Sequence, residues 1–374
     1  MKKYISSIVL VLLTLLSSKA DASTYTDPQT KVVYTYSVDT GEASVEQCSQ
    51  NTNNVSGDVT ILKEFKLTFS GKTITVTSIE SFAFMDNTKI TSIVIPNSVR
   101  YIDAFSFSGC SNLSSIQVEA GNSRYDSRDN CNAVIETADD ALRIGCKNTT
   151  IPSSVKEIAG NSFHNCTGLT SITIPSSVVD IHPYAFNNCA NLKEVSTVSK
   201  HPTFISANSY TFSGIDSNAT LTVPKGRKSV YASAQYWKTA FPQIAESNNT
   251  TVEEFVYEGN NYRGDYVEQT ATLLSASSGA KEYTIPTTTS YEGISYRVVG
   301  MADNCLTGDF DMLTIPSDIT SVASKALAKC KMKTLVWNAK TALPAAVIDN
   351  TTFEKDGNGL LYITTTPATC EKLW

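Results

Sequence analysis

The sequence predicts a repeat solenoid of the α+β class, in which short parallel strands alternate with short helical or 3₁₀ returns. Three observations predict this fold. An Ile-Pro dipeptide recurs, a Phe-x-x-Cys motif follows it at a fixed distance, and both return with a step of 23 residues. A unit of this length buries its apolar face only against neighbouring units. Stacked coils therefore replace the two or three globular domains that 374 residues would otherwise suggest.

The two motifs keep one register along the chain. The Ile-Pro segments are 95–99, 151–155, 174–178 and, more loosely, 315–319. The pairs that follow them are Phe107 with Cys110, Phe163 with Cys166, Phe186 with Cys189, and Leu327 with Cys330. One step before the first pair lie Phe84 and Asn87, so a further unit precedes the first Ile-Pro.

Each part of a coil has a predictable role, shown by the unit that begins at Leu169. Leu169, Ile172 and Ile174 alternate with polar residues, as in a short strand with one buried face. Pro175 ends the strand because it has no N–H to donate. The spacing of three to four residues between the later apolar positions predicts a helical or 3₁₀ turn that faces the core.

The amino terminus has the parts of a secretory signal peptide, which we place at 1–22. Lys2 and Lys3 precede an apolar stretch at 5–16, and a small-x-small cleavage site follows at 20–22. The apolar stretch is shorter than the roughly 20 residues of a transmembrane helix. We therefore expect a secreted or cell-surface protein with no transmembrane segment after cleavage.

The rest of the chain reads as two tandem arrays. The first spans 23–245 and has an N-terminal β cap, an enlarged coil with an inserted hairpin at 111–150, and a C-terminal cap at 221–245. The second, divergent array spans 246–374. The segments of the first array that recur in the second are 57–62 and 71–79, echoed at 281–286 and 293–301.

The pattern Ile-Pro-x-Ser-Val-x-x-Ile with a downstream Ala-Phe-x-x-Cys resembles the BspA-like leucine-rich-repeat family of bacterial secreted and surface proteins. Further segments that share the resemblance are 130–137, 145–152 and 223–226. It is strong over 57–245 and weak over 281–374, where Cys305-Leu306 replaces Ala-Phe and Asp309 replaces Cys. The resemblance implies a right-handed leucine-rich-repeat solenoid and, for some members, adhesion to host matrix proteins or other microbes. It supplies no catalytic residue.

Several kinds of chemistry are poorly supported. The nine cysteines include a set in one structural register, which favours buried thiols over nucleophiles, whereas Cys131 and Cys146 could pair across the inserted hairpin. The three His are expected at the surface, and the spacing of His164 and Cys166 does not form a dyad. Acidic clusters at 139–140 and 309–311 lack a calcium-loop pattern. No metal, cofactor or enzyme is predicted.

A net charge of -6 without a basic stripe disfavours nucleic acid, and a binding function remains. The outward polar ladder of the strands consists of Thr91, Ser92, Val94, Ser114, Ser115, Gln117, Thr170, Ser171, Thr173, Lys193, Glu194 and Ser196. The candidate exposed aromatic anchors are Tyr101, Tyr125 and Tyr184. The ladder is either an extended binding surface or a solvated face. The leading hypothesis is an adhesin-like protein that recognises host or microbial proteins, and the alternative is a carbohydrate-binding or glycan-degradation accessory protein.

Overall fold

The structure, a computed structural model, describes residues 23–46, 54–205, 210–277, 280–339, 341 and 343, together with two strands at 361–365 and 369–373. Contacts divide the chain into two compact units, Met1–Ser247 (unit 1) and Asn248–Trp374 (unit 2). The predicted signal peptide at 1–22 lies outside the described residues.

Unit 1 is built mainly from short strands. Its described elements are β1 (Ser23–Thr26), β2 (Val33–Ser37), β3 (Glu42–Val45), β4 (Gly57–Thr60), β5 (Glu64–Lys66), β6 (Thr73–Ile79), β7 (Ile90–Ile95), β8 (Tyr101–Ile102), β9 (Ser115–Val118), β10 (Tyr125–Asp126), a 3₁₀ helix (Arg128–Asn130), β11 (Ala133–Glu136), β12 (Ala141–Gly145), β13 (Glu157–Ile158), β14 (Ser171–Ile174), β15 (Asp180–Ile181), β16 (Glu194–Thr197), β17 (Phe204–Ile205), β18 (Thr220–Val223), α1 (Lys228–Ser233), α2 (Gln235–Ala240) and β19 (Gln243–Glu246).

Successive coils of unit 1 pair in parallel with the register that the sequence predicts. Strand β14 pairs with β16 so that Ile172 lies opposite Val195, 23 residues later. Strands β7 and β9 pair in the same way, with Ile93 opposite Ile116. The predicted inward residues Leu169, Ile172 and Ile174 are buried. This repeat fold, with mostly strands and few helices, confirms the pattern of short strands with one buried face.

The predicted helical or 3₁₀ return is wrong for the described coils. Each return instead carries a strand of two residues, and β13, β15 and β17 pair in parallel as a second sheet. Isolated turns follow, such as the one in which the Cys166 N–H donates to the Phe163 carbonyl at 3.0 Å. Asn165 and Asn188 have φ angles of 58°, and a left-handed residue interrupts a right-handed helical turn. The spacing of apolar residues alone could not reveal this break.

The core of unit 1 contains ladders of stacked rings. Phe163 and Phe186 are parallel within 11° at 4.9 Å between centroids, and Phe212 continues the stack at 5.1 Å. The thiol of Cys189 donates to the Phe163 carbonyl at 3.0 Å. Burial raises the pKa of Cys189 above its ordinary value. The motif cysteine thus links one coil to the previous one, as predicted for a buried thiol.

The enlarged coil interrupts this ladder. Strands β11 and β12 form an antiparallel hairpin there, and a Cβ at Gly145 would overlap the ring of Phe163. Cys131 and Cys146 are both buried and free, so the pairing left open by the sequence is not formed. The hairpin therefore packs through side-chain volume and not through a disulfide.

The C-terminal cap covers the open end of the stack. Trp237 on α2 and the nearby Phe241 contact Phe212, with centroids 5.6 and 5.0 Å away. The indole N–H of Trp237 donates to the Thr203 carbonyl at 2.9 Å. The last coil would otherwise expose its core, and the cap buries it.

Unit 2 contains longer strands. Its described elements are β20 (Val252–Tyr257), β21 (Asn260–Asp265), β22 (Thr270–Ser277), β23 (Glu282–Thr284), β24 (Thr288–Tyr291), β25 (Ile294–Met301), β26 (Leu306–Ile315), β27 (Ser321–Val322), β28 (Lys329–Trp337), β29 (Leu361–Thr365) and β30 (Thr369–Leu373). Its first strands repeat the pairing of unit 1. The order β20-β21-β22-β25-β24 corresponds to β1-β2-β3-β6-β5, and β27 pairs with β25 as β8 pairs with β6.

Candidate functional site

The predicted polar ladder lies on the outer face of the strands, but its hydroxyls differ in availability. Thr91 and Ser92 both donate to Asp58 Oδ1, at 2.9 and 2.6 Å. These two hydrogen bonds lower the pKa of Asp58, and the bond from Ser92 has the larger effect. Ser114 donates to the Thr91 carbonyl at 3.0 Å. The hydroxyl groups in the N-terminal part of the ladder therefore already donate hydrogen bonds within the protein.

The remaining ladder residues vary in exposure. Gln117, Thr170, Ser171, Thr173, Lys193 and Glu194 are exposed, whereas Ser115, Val94 and Ser196 are half-buried. Among the described strands, β9 pairs with β7 and β14 pairs with β16, while β9 and β14 do not pair with each other. The enlarged coil separates them, so the ladder consists of two blocks and not one continuous face.

The three candidate tyrosines have different environments. Tyr101 is 45 % exposed, and its hydroxyl donates to Asp103 Oδ2 at 3.2 Å. Its partial burial, followed by the charge of Asp103, raises the pKa of Tyr101. Tyr184 is 37 % exposed.

The expectation of an exposed Tyr125 is wrong. Its side chain is 3 % exposed and belongs to the apolar core of the N-terminal half of unit 1. The Arg124 guanidinium lies 5.3 Å from the ring centroid. Pairing between β10 and β11 directs Tyr125 inward. The residues around Tyr125 show no alternation of apolar and polar types from which this pairing could be predicted.

A row of aromatic side chains lies on the turns of unit 1, and the sequence analysis named only Tyr184 among them. The position two residues before the motif Phe holds Phe82, Phe105, Asn161, Tyr184 and Tyr210 in successive coils. Phe82, Tyr184 and Tyr210 are 44 %, 37 % and 48 % exposed, and Phe105 is half-buried. We call Phe82, Phe105, Tyr184 and Tyr210 the aromatic ridge.

Neighbouring rings of the aromatic ridge contact each other. The Phe82 and Phe105 centroids are 5.8 Å apart, and Phe105 contacts the His164 ring edge-on at 5.4 Å. Tyr184 and Tyr210 are parallel within 3° at 5.4 Å. The recurrence of an aromatic residue at one repeat position was the signal available in the sequence. The three rings other than Tyr184 each stand two residues from a buried Phe, so their apolar character alone does not distinguish them from core residues.

The backbone at this position is unfavourable for a large side chain in the coils of Phe82 and Tyr184. Phe82 and Tyr184 have φ angles of 62° and 64°, and Asn161 occupies the equivalent turn at 63°. Asn visits the left-handed region readily, whereas a bulky residue there is an outlier that costs about 1–3 kcal/mol. Exposed aromatic residues at strained positions favour a surface role, because neither the turn nor the core requires them.

The histidine and serine side chains that could act in catalysis take part in structural contacts within the coils. Ser108 Oγ lies 2.8 Å from His164 Nδ1, but Ser108 is buried and the adjacent cavity measures only about 10 Å³. Burial lowers the pKa of His164, and Asp86 opposes this effect. His164 is therefore half-buried rather than a surface His as expected. A space that size admits no substrate beside the pair.

The thiols and acidic clusters likewise take part in structural contacts. Burial raises the pKa of Cys110 and Cys166 to about 12, so neither is a thiolate near neutral pH. Asp139 and Asp140 form ion pairs with Arg143 and Arg128. Within the described residues, no group of three or more His, Cys, Asp or Glu side chains is arranged to hold a metal.

Comparison with known proteins identifies the repeat. The profile of the BspA type leucine-rich repeat region matches residues 46–132 and 143–262 in six copies, more than half of the chain. The chain belongs to this family. The BspA-type match covers the coils that carry the aromatic ridge and extends into the first strands of unit 2. No curated protein matches the chain.

Solved structures of bacterial proteins with leucine-rich repeats are also similar. A leucine-rich cell surface protein from Faecalibacterium prausnitzii is 13 % identical over 94 % of this chain and 97 % of its own, with a TM-score of 0.30. A leucine-rich repeat protein from Bacteroides ovatus is 17 % identical over 85 % and 70 %, with a TM-score of 0.32. The pneumococcal vaccine antigen PcpA is 12 % identical over 92 % and 94 %, with a TM-score of 0.19. TM-scores this low carry no argument about this chain.

Within the described ranges, none of the helices has the length and apolar character of a membrane span.

Proposed function

We propose that this BspA-type chain is a secreted or surface-associated, adhesin-like protein that recognises host or microbial protein ligands. In this proposal the signal peptide at 1–22 directs export, and two tandem arrays form right-handed solenoids whose faces and turns bind the ligand. The observation that carries the proposal is the aromatic ridge. Phe and Tyr are favoured at protein interfaces because large, rigid rings supply contact area at a low entropic cost.

The form of the surface also supports binding of a macromolecule. The ridge consists of two pairs of neighbouring rings on either side of the coil that holds Asn161. The second block of the polar ladder presents exposed side chains such as Thr173 and Glu194 on the strand face. Solenoids use extended surfaces of this kind for recognition. The five ladder residues Thr170, Ser171, Thr173, Lys193 and Glu194 remain proposed contacts, as do Gln117 and the less available Thr91, Ser92, Ser114 and Ser115.

A second candidate, carbohydrate binding, rests on a cleft at the C-terminal cap of unit 1. The cleft has a volume of about 400 Å³ and is lined by Tyr236, Asp216, Thr239 and Ser213, among other residues. An aromatic ring beside a carboxylate and hydroxyls can hold a sugar by stacking and hydrogen bonding. The volume lies at the small end of ligand pockets, which range from about 300 to 1,000 Å³.

A capture experiment tests the leading proposal. The chain without residues 1–22 is immobilised and exposed to a panel of extracellular-matrix proteins and to microbial surface fractions. Thr173→Arg on the strand face and Tyr184→Asn on the ridge serve as variants, because loss of capture with one of them locates the face used. Absence of any captured protein at micromolar concentration would contradict protein binding. Specific signals on a glycan array, lost in Tyr236→Ala, would favour the cap cleft instead.

A further inference from the structure

The turns that carry the aromatic ridge have an unusual charge. In the coils of unit 1 the turn segments are 80–88, 103–111, 159–167, 182–190 and 210–218. These segments contain no Lys or Arg, and their charged residues are Glu80, Asp86, Asp103 and Asp216. The turn segments that carry the exposed rings therefore contain acidic residues without Lys or Arg, and three of the four carboxylates lie in the segments of Phe82 and Phe105.

The carboxylates near Phe82 and Phe105 are held by neutral groups. Glu80 Oε1 accepts from the Ser78 hydroxyl at 2.7 Å, and Asp86 Oδ1 accepts from Asn165 Nδ2 at 3.3 Å. Asp103 accepts from the Phe105 N–H at 2.9 Å and from the Tyr101 hydroxyl. These bonds fix the positions of the carboxylates without neutralising their charge.

A cation close to this end of the ridge is already paired. Arg124, whose charge acts on Tyr101, forms an ion pair with Glu136 at 2.8 Å. None of the ion pairs among the described residues involves Glu80, Asp86 or Asp103. The end of the ridge near Phe82 thus combines exposed ring surface with a net negative field.

We propose that the aromatic ridge receives a segment of a partner protein that is rich in Arg or Lys. This inference rests on the proposed protein-binding function and specifies its partner. A guanidinium stacks on the face or edge of an aromatic ring and forms bidentate hydrogen bonds to a carboxylate. The charge complementarity steers the encounter, and the rings supply the desolvated contact.

The equivalent turns of unit 2 lack this combination. The positions that correspond to the ridge hold Asn304 and Lys325, two residues before Leu306 and Leu327. Strand β28, which directly follows the turn around Leu327, carries Lys329 and Lys331 at its start. The basic segment is therefore expected on unit 1 and not on unit 2.

A labelled peptide tests the inference on the chain without residues 1–22. The probe is a short peptide with Arg at every third position and Gly or Ser between, and the matched probe has Gln in place of Arg. Fluorescence anisotropy should show binding of the Arg peptide and much weaker binding of the Gln peptide. Phe82→Asn with Phe105→Asn, and separately Glu80→Gln with Asp103→Asn, should each weaken the Arg peptide by about tenfold or more. Binding should weaken as ionic strength rises.

The controls separate a local effect from unfolding. Asn is suited to the turn because Asn161 occupies it with the same φ, so Phe82→Asn should leave the melting temperature unchanged or higher. Phe204→Asn removes an aromatic residue that is 63 % exposed outside the ridge and should leave affinity unchanged. Equal binding of the Arg and Gln peptides, or an equal loss in Phe204→Asn, overturns the inference.

The outcome is distinguishable from failure of the proposed function. If a protein is captured from matrix or surface fractions equally well by wild type and by the ridge variants, the inference fails while protein binding stands. If the ridge variants abolish a glycan-array signal and not peptide binding, the ridge is a saccharide site and the inference fails. If the Arg peptide binds at the ridge but the panel yields no captured protein, the proposed adhesin-like role fails for that panel.

Discussion

The first strands of units 1 and 2 pair in the same order, but the turns between strands have different backbone conformations in the two units. In unit 1 the residue two positions after the motif Phe is left-handed, as in Asp86 with a φ angle of 56° and Asn188 with 58°. The chain breaks there into a tight turn between two short strands. In unit 2 the equivalent position, Gly308, also has a positive φ angle, of 139°, but it lies inside β26, which runs from Leu306 to Ile315 and pairs with β28 from Thr307 onward.

The difference shows what the Phe-x-x-Cys motif contributes. A left-handed Asn, Asp or Gly after the Phe closes the corner, and the Cys donates its S–H to the previous coil, as Cys110 does to the Phe84 carbonyl at 3.0 Å. Where Leu306 and Asp309 replace Phe and Cys, the backbone continues as a strand. The tight corner also creates the exposed positions of the aromatic ridge, which unit 2 lacks.

The largest expected effect concerns the stacked rings of unit 1. Phe186 is buried between Phe163 and Phe212, so Phe186→Ala should lower the free energy of unfolding of unit 1 by about 3–5 kcal/mol. Chemical denaturation with hydrogen exchange resolved by unit measures this. Tyr184→Ala, on the same turn but exposed, should cost far less. A loss below about 1 kcal/mol for Phe186→Ala would mean that the ring stack is not what holds the coils together.

A pair of substitutions tests the corner geometry directly. Asn188→Val places a β-branched residue at a left-handed position and should destabilise unit 1 by about 1–2 kcal/mol. Lys329→Val falls at the equivalent position two residues after Leu327, an exposed site at the start of β28, and should leave unit 2 unchanged or stabilise it by up to about 1 kcal/mol. The same melting experiments measure both. Equal effects in the two units would remove the physical basis of the comparison.

The smallest expected effect is the pH dependence that histidine contributes, which is confined to unit 1 because this unit contains all three His of the chain. Burial lowers the pKa of His164 in the folded state, against the opposing charge of Asp86. A lowered folded pKa means that the unfolded chain takes up its proton first. Stability from this group is therefore complete above the ordinary His pKa of about 6.5 and is lost as pH falls through the folded value. An NMR titration should show His164 titrating below 6.5, and His164→Gln should remove that part of the pH dependence. A titration at or above the ordinary value would contradict the burial of the ring.

The sequence alone was sufficient for the features that depend on short-range periodicity. The inward side chains of β14 follow from alternation, and the contact between Phe163 and Phe186 follows from a 23-residue step that places equal positions in neighbouring coils. The backbone conformation of the segment that connects successive strands could not be predicted. Its Asn188 is a residue type that occurs at helix ends, in turns and in loops alike. Of the aromatic ridge only Tyr184 was predicted to be exposed, because Phe82 and Phe84 look alike as apolar residues, while the turn buries one and exposes the other.

The sequence by itself therefore determined the repeat, its register, the buried motif residues and the family. It did so because the same residue types recur at the same spacing in the sequence, and stacking of the coils brings residues separated by one repeat into contact. Only the tertiary structure decided which aromatic residues reach the surface, that Tyr125 is buried, and that the enlarged coil divides the polar ladder. Those outcomes depend on left-handed backbone positions and on pairing between strands far apart in the chain, and neither leaves a local pattern in the residues.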